Sequence, residues 1–203
     1  GLTGANYRLV ADALDGFCTL VDASGIVRGM RLVKSAGELE HIRKAGTLAD
    51  AAVSAIVGQA RPGVLDSHLT AAGFGAILHG GGDPAPADPL INSGSRAVYG
   101  RSVAGPRELC EHDQILVELA ATYRRYNCCI ERTIIVGKPE PEHINQHEVV
   151  RAATEAVLEA FVPGEPLGRV DEVHRKILDE AGYADQRFAA CGYSLGATYR
   201  PSW

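Results

Sequence analysis

The sequence has no run of about 18 apolar residues, so no segment is predicted to span a membrane. It also has no excess of basic residues. The 20 lysines and arginines are outnumbered by 25 aspartates and glutamates, and the formal net charge is −5. Nucleic-acid binding would need a basic patch or stripe, so no nucleic-acid partner is predicted. The first residues lack the basic region and apolar stretch of a secretory signal peptide.

Cysteine pairing is also missing from the sequence. The five cysteines are odd in number and contain no CxxC pair: Cys18, Cys110, Cys128, Cys129 and Cys191. A secreted disulfide framework normally has an even number of cysteines at framework spacing. We therefore predict reduced thiols in a cytoplasmic protein.

The helical pattern is strongest after residue 35. Ser35 and Glu38 have the spacing of a capping box, and apolar residues then recur at helical intervals until Arg61–Gly63. A second helix is predicted over Asp66–Leu78. Further helices are predicted over Glu142–Phe161 and Val170–Ala181.

Strands are predicted in the middle of the chain. Pro89–Asn92, Gln114–Ala121 and Glu131–Val136 are short and rich in apolar or β-branched residues. Tyr123–Tyr126 is predicted to be a turn or the continuation of a hairpin. Helices on either side of a group of strands predict an α+β fold, with helices covering one face of a mostly antiparallel sheet.

The two ends of the chain are harder to assign. A short helix is predicted over Tyr7–Leu14, a short strand over Cys18–Asp22 and a turn over Asp22–Gly25. Gly192–Gly196 is predicted to start a further strand. Because that strand needs a partner, we expect the domain to be truncated at its C-terminus.

The central segment carries the resemblance to a known family. His112–Glu118, continuing through Tyr126 to Glu131–Thr133, resembles the two central strands of the creatinase/aminopeptidase-P/prolidase superfamily, and Arg31–Ser35 resembles the end of its linker. The resemblance implies the pita-bread α+β domain and a homodimer. It also implies that residues 1–29 are the tail of an N-terminal domain with its linker, and that residues 30–203 are a partial creatinase-like catalytic domain.

The resemblance also identifies positions at which the metal ligands have changed. Metallopeptidases of this fold have aspartates where Glu118 and Cys129 stand, and a histidine where Tyr193 stands. Two further active-site histidines of the family fall on Arg101 and Arg200. Two neighbouring divalent ions need dense anionic ligation, and tyrosine is a poor substitute for imidazole. We therefore predict no metal and no other cofactor, although Glu118 and Cys129 leave open a single ion.

Glu131 indicates that the candidate site could bind a cation instead of metal ions. On a strand, Cys129, Glu131 and Thr133 share one side, and Glu118 shares a side with the small residue Ala120. Glu131 also resembles the creatinase glutamate that holds a guanidinium group. A carboxylate can form two parallel charge-assisted hydrogen bonds with an N–C–N cation. The simpler alternative is that Glu131 pairs with a neighbouring basic side chain.

These observations predict a metal-independent hydrolase of a C–N bond in a small amidine, guanidine or cyclic compound. The segment from Gly192 to Pro201 resembles ectoine-hydrolase-like members, and both creatinase and ectoine hydrolase are expected as near relatives. The predicted catalytic residues are Glu131, Glu118 and Tyr193, and the predicted substrate-binding residues are Arg101, Cys129 and Arg200. The alternatives are a prolidase- or aminopeptidase-P-like peptidase with altered metal ligands, and a non-catalytic binding module.

Overall fold

The computed structural model describes residues 2–100, 102–187 and 189–199. The chain divides into two compact units, Gly1–Ser35 and Ala36–Trp203. This division lies a few residues beyond the boundary expected from the sequence, and the assignment of the first unit to another domain stays a prediction.

The first unit contains the helices α1 (Gly4–Ala13) and α2 (Ser24–Leu32). Helix α1 confirms the helix predicted from Tyr7 onward. The strand predicted over Cys18–Asp22 is wrong, because the described residues there pair with no neighbouring strand. The turn predicted over Asp22–Gly25 is also wrong. The Asp22 carboxylate accepts a hydrogen bond from the Ser24 amide at 2.9 Å, and α2 begins at Ser24.

The second unit begins with the helices α3 (Ala36–Gln59) and α4 (Asp66–His79), and both confirm the sequence prediction. The connection between them turns at Gly63, whose φ of +81° lies in the left-handed region that favours glycine. The Gly63 amide donates to the Leu109 carbonyl at 2.8 Å. This connection is therefore hydrogen-bonded to the segment around Leu109.

The sheet has three antiparallel strands in the order β1 (Leu90–Ser93), β2 (Gln114–Tyr123) and β3 (Tyr126–Ile135). All three lie where strands were predicted, and β3 begins earlier than expected because β2 and β3 form one continuous hairpin. Arg124 and Arg125 make its two-residue turn. The predicted α+β class, with helices packed on an antiparallel sheet, is confirmed.

The core lies between one face of the sheet and the two helices. Helix α3 packs on β2 and β3, and α4 packs on α3 and β1. Successive side chains of a strand point to opposite faces, so β2 contributes every second residue to the core. The core side chains of the sheet are Ile91, Ile115, Val117, Leu119 and Ala121. The alternate residues of β2 lie on the opposite face, which has no helix from this pair.

Two further helices, α5 (Pro141–Ala160) and α6 (Leu167–Glu180), pack against each other. The strand predicted over Gly192–Gly196 is wrong, since the described residues there form no regular strand. Just beyond it, Ala197 makes an isolated β-bridge with Tyr126 at the start of β3. No helix in the described part of the chain has the length and apolarity needed to cross a membrane. All five cysteines are free thiols.

Candidate active site

Two carboxylates stand directly opposite each other on the open face of the hairpin. Glu118 of β2 and Glu131 of β3 are partners in the register of the antiparallel pair. Residues opposite each other in such a pair have Cα atoms about 4.5–5.5 Å apart and share a face of the sheet. Glu118 is half-buried, and Glu131 is exposed. The strand alternation inferred from the sequence is therefore confirmed, and the face carries concentrated negative charge.

Cys129 is the next residue of β3 on the same face. It lies opposite Ala120, whose small side chain leaves space beside the sulfur. The Tyr193 hydroxyl, from the segment after α6, forms a hydrogen bond with the Cys129 side chain. The structure therefore brings together four of the predicted site residues: Glu118, Cys129, Glu131 and Tyr193.

The electrostatics of this face keep the Cys129 thiol protonated. Burial is the largest effect and raises the pKa of Cys129 above its ordinary value. The negative charges of Glu118 and Glu131 and the neighbouring thiol Cys128 raise it further, while the hydrogen bond from Tyr193 acts in the opposite direction. Because the thiolate is the nucleophilic form, Cys129 is better suited at neutral pH to donating a weak hydrogen bond than to attacking a substrate.

The two predicted arginines of the site, Arg101 and Arg200, lie outside the described residues. Their roles stay predictions. The guanidinium of Arg132, which follows Glu131, donates to the backbone carbonyl of Glu131 at 2.7 Å and not to its carboxylate. An ion pair between Glu131 and Arg132 therefore does not describe the arrangement, and pairing of Glu131 with another basic side chain stays an alternative.

Sequence reasoning missed a buried polar network at the end of β1. Asp66, at the start of α4, is fully buried. Its carboxylate accepts hydrogen bonds from Ser93 at 3.0 Å, from Arg96 at 2.5 Å and from the Gly105 amide at 2.9 Å. The local sequence around Asp66 indicates only a helix start, because these partners lie 27 to 39 residues further along the chain.

Arg107 extends the same network towards β2. It makes two hydrogen bonds to Asp113, at 2.6 and 2.9 Å, and one to Ser93 at 3.0 Å. Burial pushes the pKa of Asp113 up. However, the hydrogen bonds from Arg107 and the Cys110 amide, with the Arg107 charge, bring the pKa below its ordinary value. The backbone of Gly94 passes so close that a Cβ there would lie 2.6 Å from the Arg107 guanidinium, and its φ is +59°.

Asn92 of β1 was also missed. Its side chain is fully buried, and its Nδ2 donates to the Tyr99 carbonyl at 3.1 Å. Its Oδ1 has no hydrogen-bond partner among the described residues. Asn92 pairs with Leu116 in the register, so it lies on the same face as Glu118. A lone polar residue in a short strand is a weak sequence signal, and nothing in the sequence shows what will cover it.

Comparison with known proteins identifies the family of this fold and face. The sequence profile of metallopeptidase family M24 matches residues 40–202. The chain belongs to this family, and the predicted pita-bread superfamily is confirmed at that level.

Three of the similar proteins are named as peptidases. The chain is 30% identical over 171 residues to the Xaa-Pro dipeptidase of Pyrococcus furiosus, covering 84% of this chain and 49% of that protein. It superimposes with a TM-score of 0.89 on the X-Pro aminopeptidase of Thermotoga maritima, at 26% identity, covering 96% of this chain and 55% of that one. The prolidase of Pyrococcus horikoshii gives 0.90 at 26% identity, covering 100% and 58%.

These comparisons relate the chain to prolidases and aminopeptidases P more directly than to creatinase or ectoine hydrolase, which the sequence had suggested as near relatives. The chain spans about half the length of the curated relatives it matches. The predicted relationship to prolidase and aminopeptidase P is confirmed. A particular likeness to creatinase or ectoine hydrolase stays a prediction, because these three relatives are Xaa-Pro and X-Pro peptidases.

The family name implies a metal centre, and the donor set on this face does not fit a pair of divalent ions. Such ions need several anionic ligands close together. Here one ligand position carries a thiol in place of an aspartate, and another carries a tyrosine, which is a poor substitute for imidazole. Within the described ranges, no group of three or more His, Cys, Asp or Glu side chains is arranged around a common point. The chemistry proposed for this face is therefore assigned to its own side chains.

Proposed function

We propose that the complete protein hydrolyses a C–N bond in a small substrate that carries a cationic nitrogen. The first candidate substrate is a short peptide, as in the Xaa-Pro dipeptidases and X-Pro aminopeptidase that the chain resembles. The observation that carries the proposal is the direct pairing of Glu118 with Glu131 on the open face. Two adjacent carboxylates favour a bound cation, and the α-ammonium group of a peptide is one.

The proposed roles follow from exposure and position. Glu131, the exposed carboxylate, binds the cationic nitrogen. Glu118 accepts a proton from the water that attacks the carbonyl carbon and returns it to the departing nitrogen. The Tyr193 hydroxyl donates to the oxygen on which negative charge develops. Arg101 and Arg200 are proposed to bind a substrate carboxylate, for which the guanidinium fork is suited.

A second candidate substrate is a small amidine, guanidine or cyclic analogue. It is favoured by the replacement of the usual ligands by Cys129 and Tyr193, together with the carboxylate pair. A planar N–C–N cation can take two parallel hydrogen bonds from one carboxylate, which an ammonium group cannot match in geometry. The same residues would orient it. A third candidate is a non-catalytic protein that binds either ligand without turnover.

The test is Glu131→Gln in the complete protein, with calorimetric titration of Xaa-Pro dipeptides and of acetamidine, creatine and ectoine. The substitution keeps the volume and removes the charge. Loss of a charge-assisted hydrogen bond weakens binding by about 1.5–3 kcal/mol, or roughly 10- to 150-fold. The matched control is Glu159→Gln on α5, an exposed glutamate, which should leave binding unchanged.

The outcome distinguishes the candidates. Turnover of dipeptides supports the peptidase, turnover of amidines supports the second candidate, and binding without turnover supports the binding module. Unchanged affinity in Glu131→Gln would remove the cation-binding role. Elemental analysis after dialysis against a mild chelator should find less than one equivalent of transition metal. One or two equivalents of zinc, manganese or cobalt, with activity lost on their removal, would instead support a rebuilt metallopeptidase.

A homodimer, a cytoplasmic location and a small-molecule substrate as the main partner complete the proposal. The dimer and the location are implied by the resemblance and by the free thiols. Light scattering on the complete protein checks the dimer, since a monomer at micromolar concentration would contradict it.

A further inference from the structure

Residues 94–105, here called the rim segment, run from the end of β1 back towards α4. The structure describes the rim segment except at position 101. Asp66 holds it near both ends, through the Arg96 guanidinium and the Gly105 amide. Arg96 also donates to the Val103 carbonyl at 3.5 Å. A single buried carboxylate therefore closes the rim segment into a loop.

Asn92 fixes the middle of the rim segment through the Tyr99 carbonyl. This contact has a cost, because the buried Oδ1 of Asn92 has no partner in the part of the chain that the structure describes. An unsatisfied buried acceptor lowers stability, and a leucine of similar volume would bury the same space without it. The asparagine is thus explained by what its Nδ2 holds in place, and not by the packing of the sheet.

The residue that holds the middle of the rim segment is a near neighbour of the carboxylate pair on the sheet. Asn92 is opposite Leu116 on the face that carries Glu118, so Asn92 and Glu118 are diagonal neighbours on adjacent strands. Such neighbours are about 7–8 Å apart. Because the Tyr99 carbonyl accepts a hydrogen bond from Asn92, this part of the rim segment is held at the residue that is diagonal to Glu118. Its apolar side chains are exposed: Val98 at 76%, Tyr99 at 65% and Val103 at 53%.

We propose that the rim segment determines specificity by contacting the apolar part of the substrate, and that Asp66 and Asn92 are its positioning residues. This inference rests on the proposed function in that the carboxylate pair receives the cationic end. A ligand that binds here carries a cationic nitrogen at one end and an apolar group at the other. The charge of the face selects the first, and the exposed valines and tyrosine select the second.

The probes are straight-chain amidines from acetamidine to octanamidine, which keep one cationic head and lengthen the apolar tail. Calorimetry on the complete protein should show that, once the tail reaches the rim segment, affinity rises about three- to fourfold for each added methylene. In Asn92→Leu the rise should fall below about 1.5-fold, while acetamidine binds within about twofold of the parent. Stability should not fall much, because the variant also removes the unsatisfied acceptor.

A second variant and two controls keep the roles separate. Asp66→Asn should flatten the same dependence on tail length. Glu131→Gln should weaken every amidine by a similar factor and leave the dependence intact. Asp179→Asn, which breaks the ion pair between Asp179 on α6 and Arg187, should change neither. Trypsin should cleave after Arg96 faster in Asn92→Leu and Asp66→Asn than in the parent.

The results decide the inference independently of turnover. A parent protein that binds amidines with a tail-length dependence but hydrolyses nothing would end the proposed function and leave this inference standing. A tail-length dependence that survives both Asn92→Leu and Asp66→Asn would overturn the inference even if the protein is an active hydrolase. A parent with no dependence on tail length would also overturn it.

Discussion

Cys129 reports the charge of the candidate site, because its thiol lies among groups that disfavour the thiolate. Glu118 raises the pKa of Cys129 more than Glu131 does. In a Cys128→Ala background, Glu118→Gln should therefore lower that pKa and speed alkylation by iodoacetamide at pH 7.5, and Glu131→Gln should do so to a smaller extent. Mass spectrometry of the labelled peptide measures both rates.

The matched control for this prediction is again Glu159→Gln, which should leave the alkylation rate unchanged. Equal rates in the parent and in Glu118→Gln would show that the carboxylate does not face the sulfur. A faster rate in Glu131→Gln than in Glu118→Gln would reverse the order of the two residues at the site.

Asp113 gives a pH dependence at the residue scale. Its folded pKa is below the ordinary value near 3.9, so its contribution to stability is present above about pH 4 and is lost as the pH falls through the folded pKa. Asp113→Asn should cost about 2 kcal/mol at pH 7, since it removes charged hydrogen bonds to Arg107. It should also flatten the fall in stability below about pH 4.

Urea unfolding at a series of pH values from 7 to 3 measures this effect, with Asp185→Asn at an exposed position as the control. Parallel curves for the parent and Asp113→Asn below pH 4 would contradict the assignment.

Some residues of the site are positioned by local sequence, and others are positioned by contacts with distant parts of the chain. Cys129 and Glu131 could be placed on one face from the sequence, because strand alternation is local. That Glu118 shares this face follows from the register of the hairpin, which the structure supplies. Asp66 and Asn92 could not be recognised. Their functions depend on a loop and a helix end that come together only in the folded molecule, and no spacing rule links such positions.

At the scale of the elements, the β2–β3 turn has an unfavourable sequence for its geometry. Arg124 and Arg125 have φ values of 48° and 69°, as a tight hairpin turn requires, but such values suit asparagine and glycine. Replacing the pair by Asn-Gly should stabilise the protein by about 0.5–1 kcal/mol. The gain is reduced by loss of the contacts of Arg124 with Tyr123 and of Arg125 with Tyr199.

Urea unfolding again provides the measurement. Arg124→Ala is the informative control, because it removes the ring contact but keeps a Cβ in the left-handed conformation, so it should lower stability. A double replacement that is no more stable than the parent would show that the arginine contacts outweigh the backbone strain.

The elements that were predicted correctly are those with a strong internal pattern. Helix α3 has apolar residues at helical spacing, α4 is followed by three glycines, and β2 is a run of mostly apolar residues. Cys18–Asp22 and Gly192–Gly196 were wrongly assigned as strands. A strand exists only where a neighbour takes its backbone hydrogen bonds, and short apolar segments do not show whether such a neighbour is present.

At the scale of the whole molecule, the fold was easier to predict than the substrate. The resemblance of the central segment was enough to identify the superfamily, whereas the choice between peptide and amidine depends on a few side chains. The same carboxylate pair suits both cations. The substituted ligand positions favour an amidine, whereas the named relatives favour a peptide. Binding experiments with both ligand classes are therefore the direct way to decide.

The burial of Asp66 also has a consequence for the order of folding. A carboxylate is costly to remove from water until its partners are in place, and here the partners come from 27 to 39 residues further along the chain. We therefore expect the rim segment to close late, after the transition state for folding. In stopped-flow measurements, Asp66→Asn should speed unfolding and leave the folding rate nearly unchanged, which corresponds to a φ-value near zero. A folding rate that falls as much as the unfolding rate rises would show that the loop closes early.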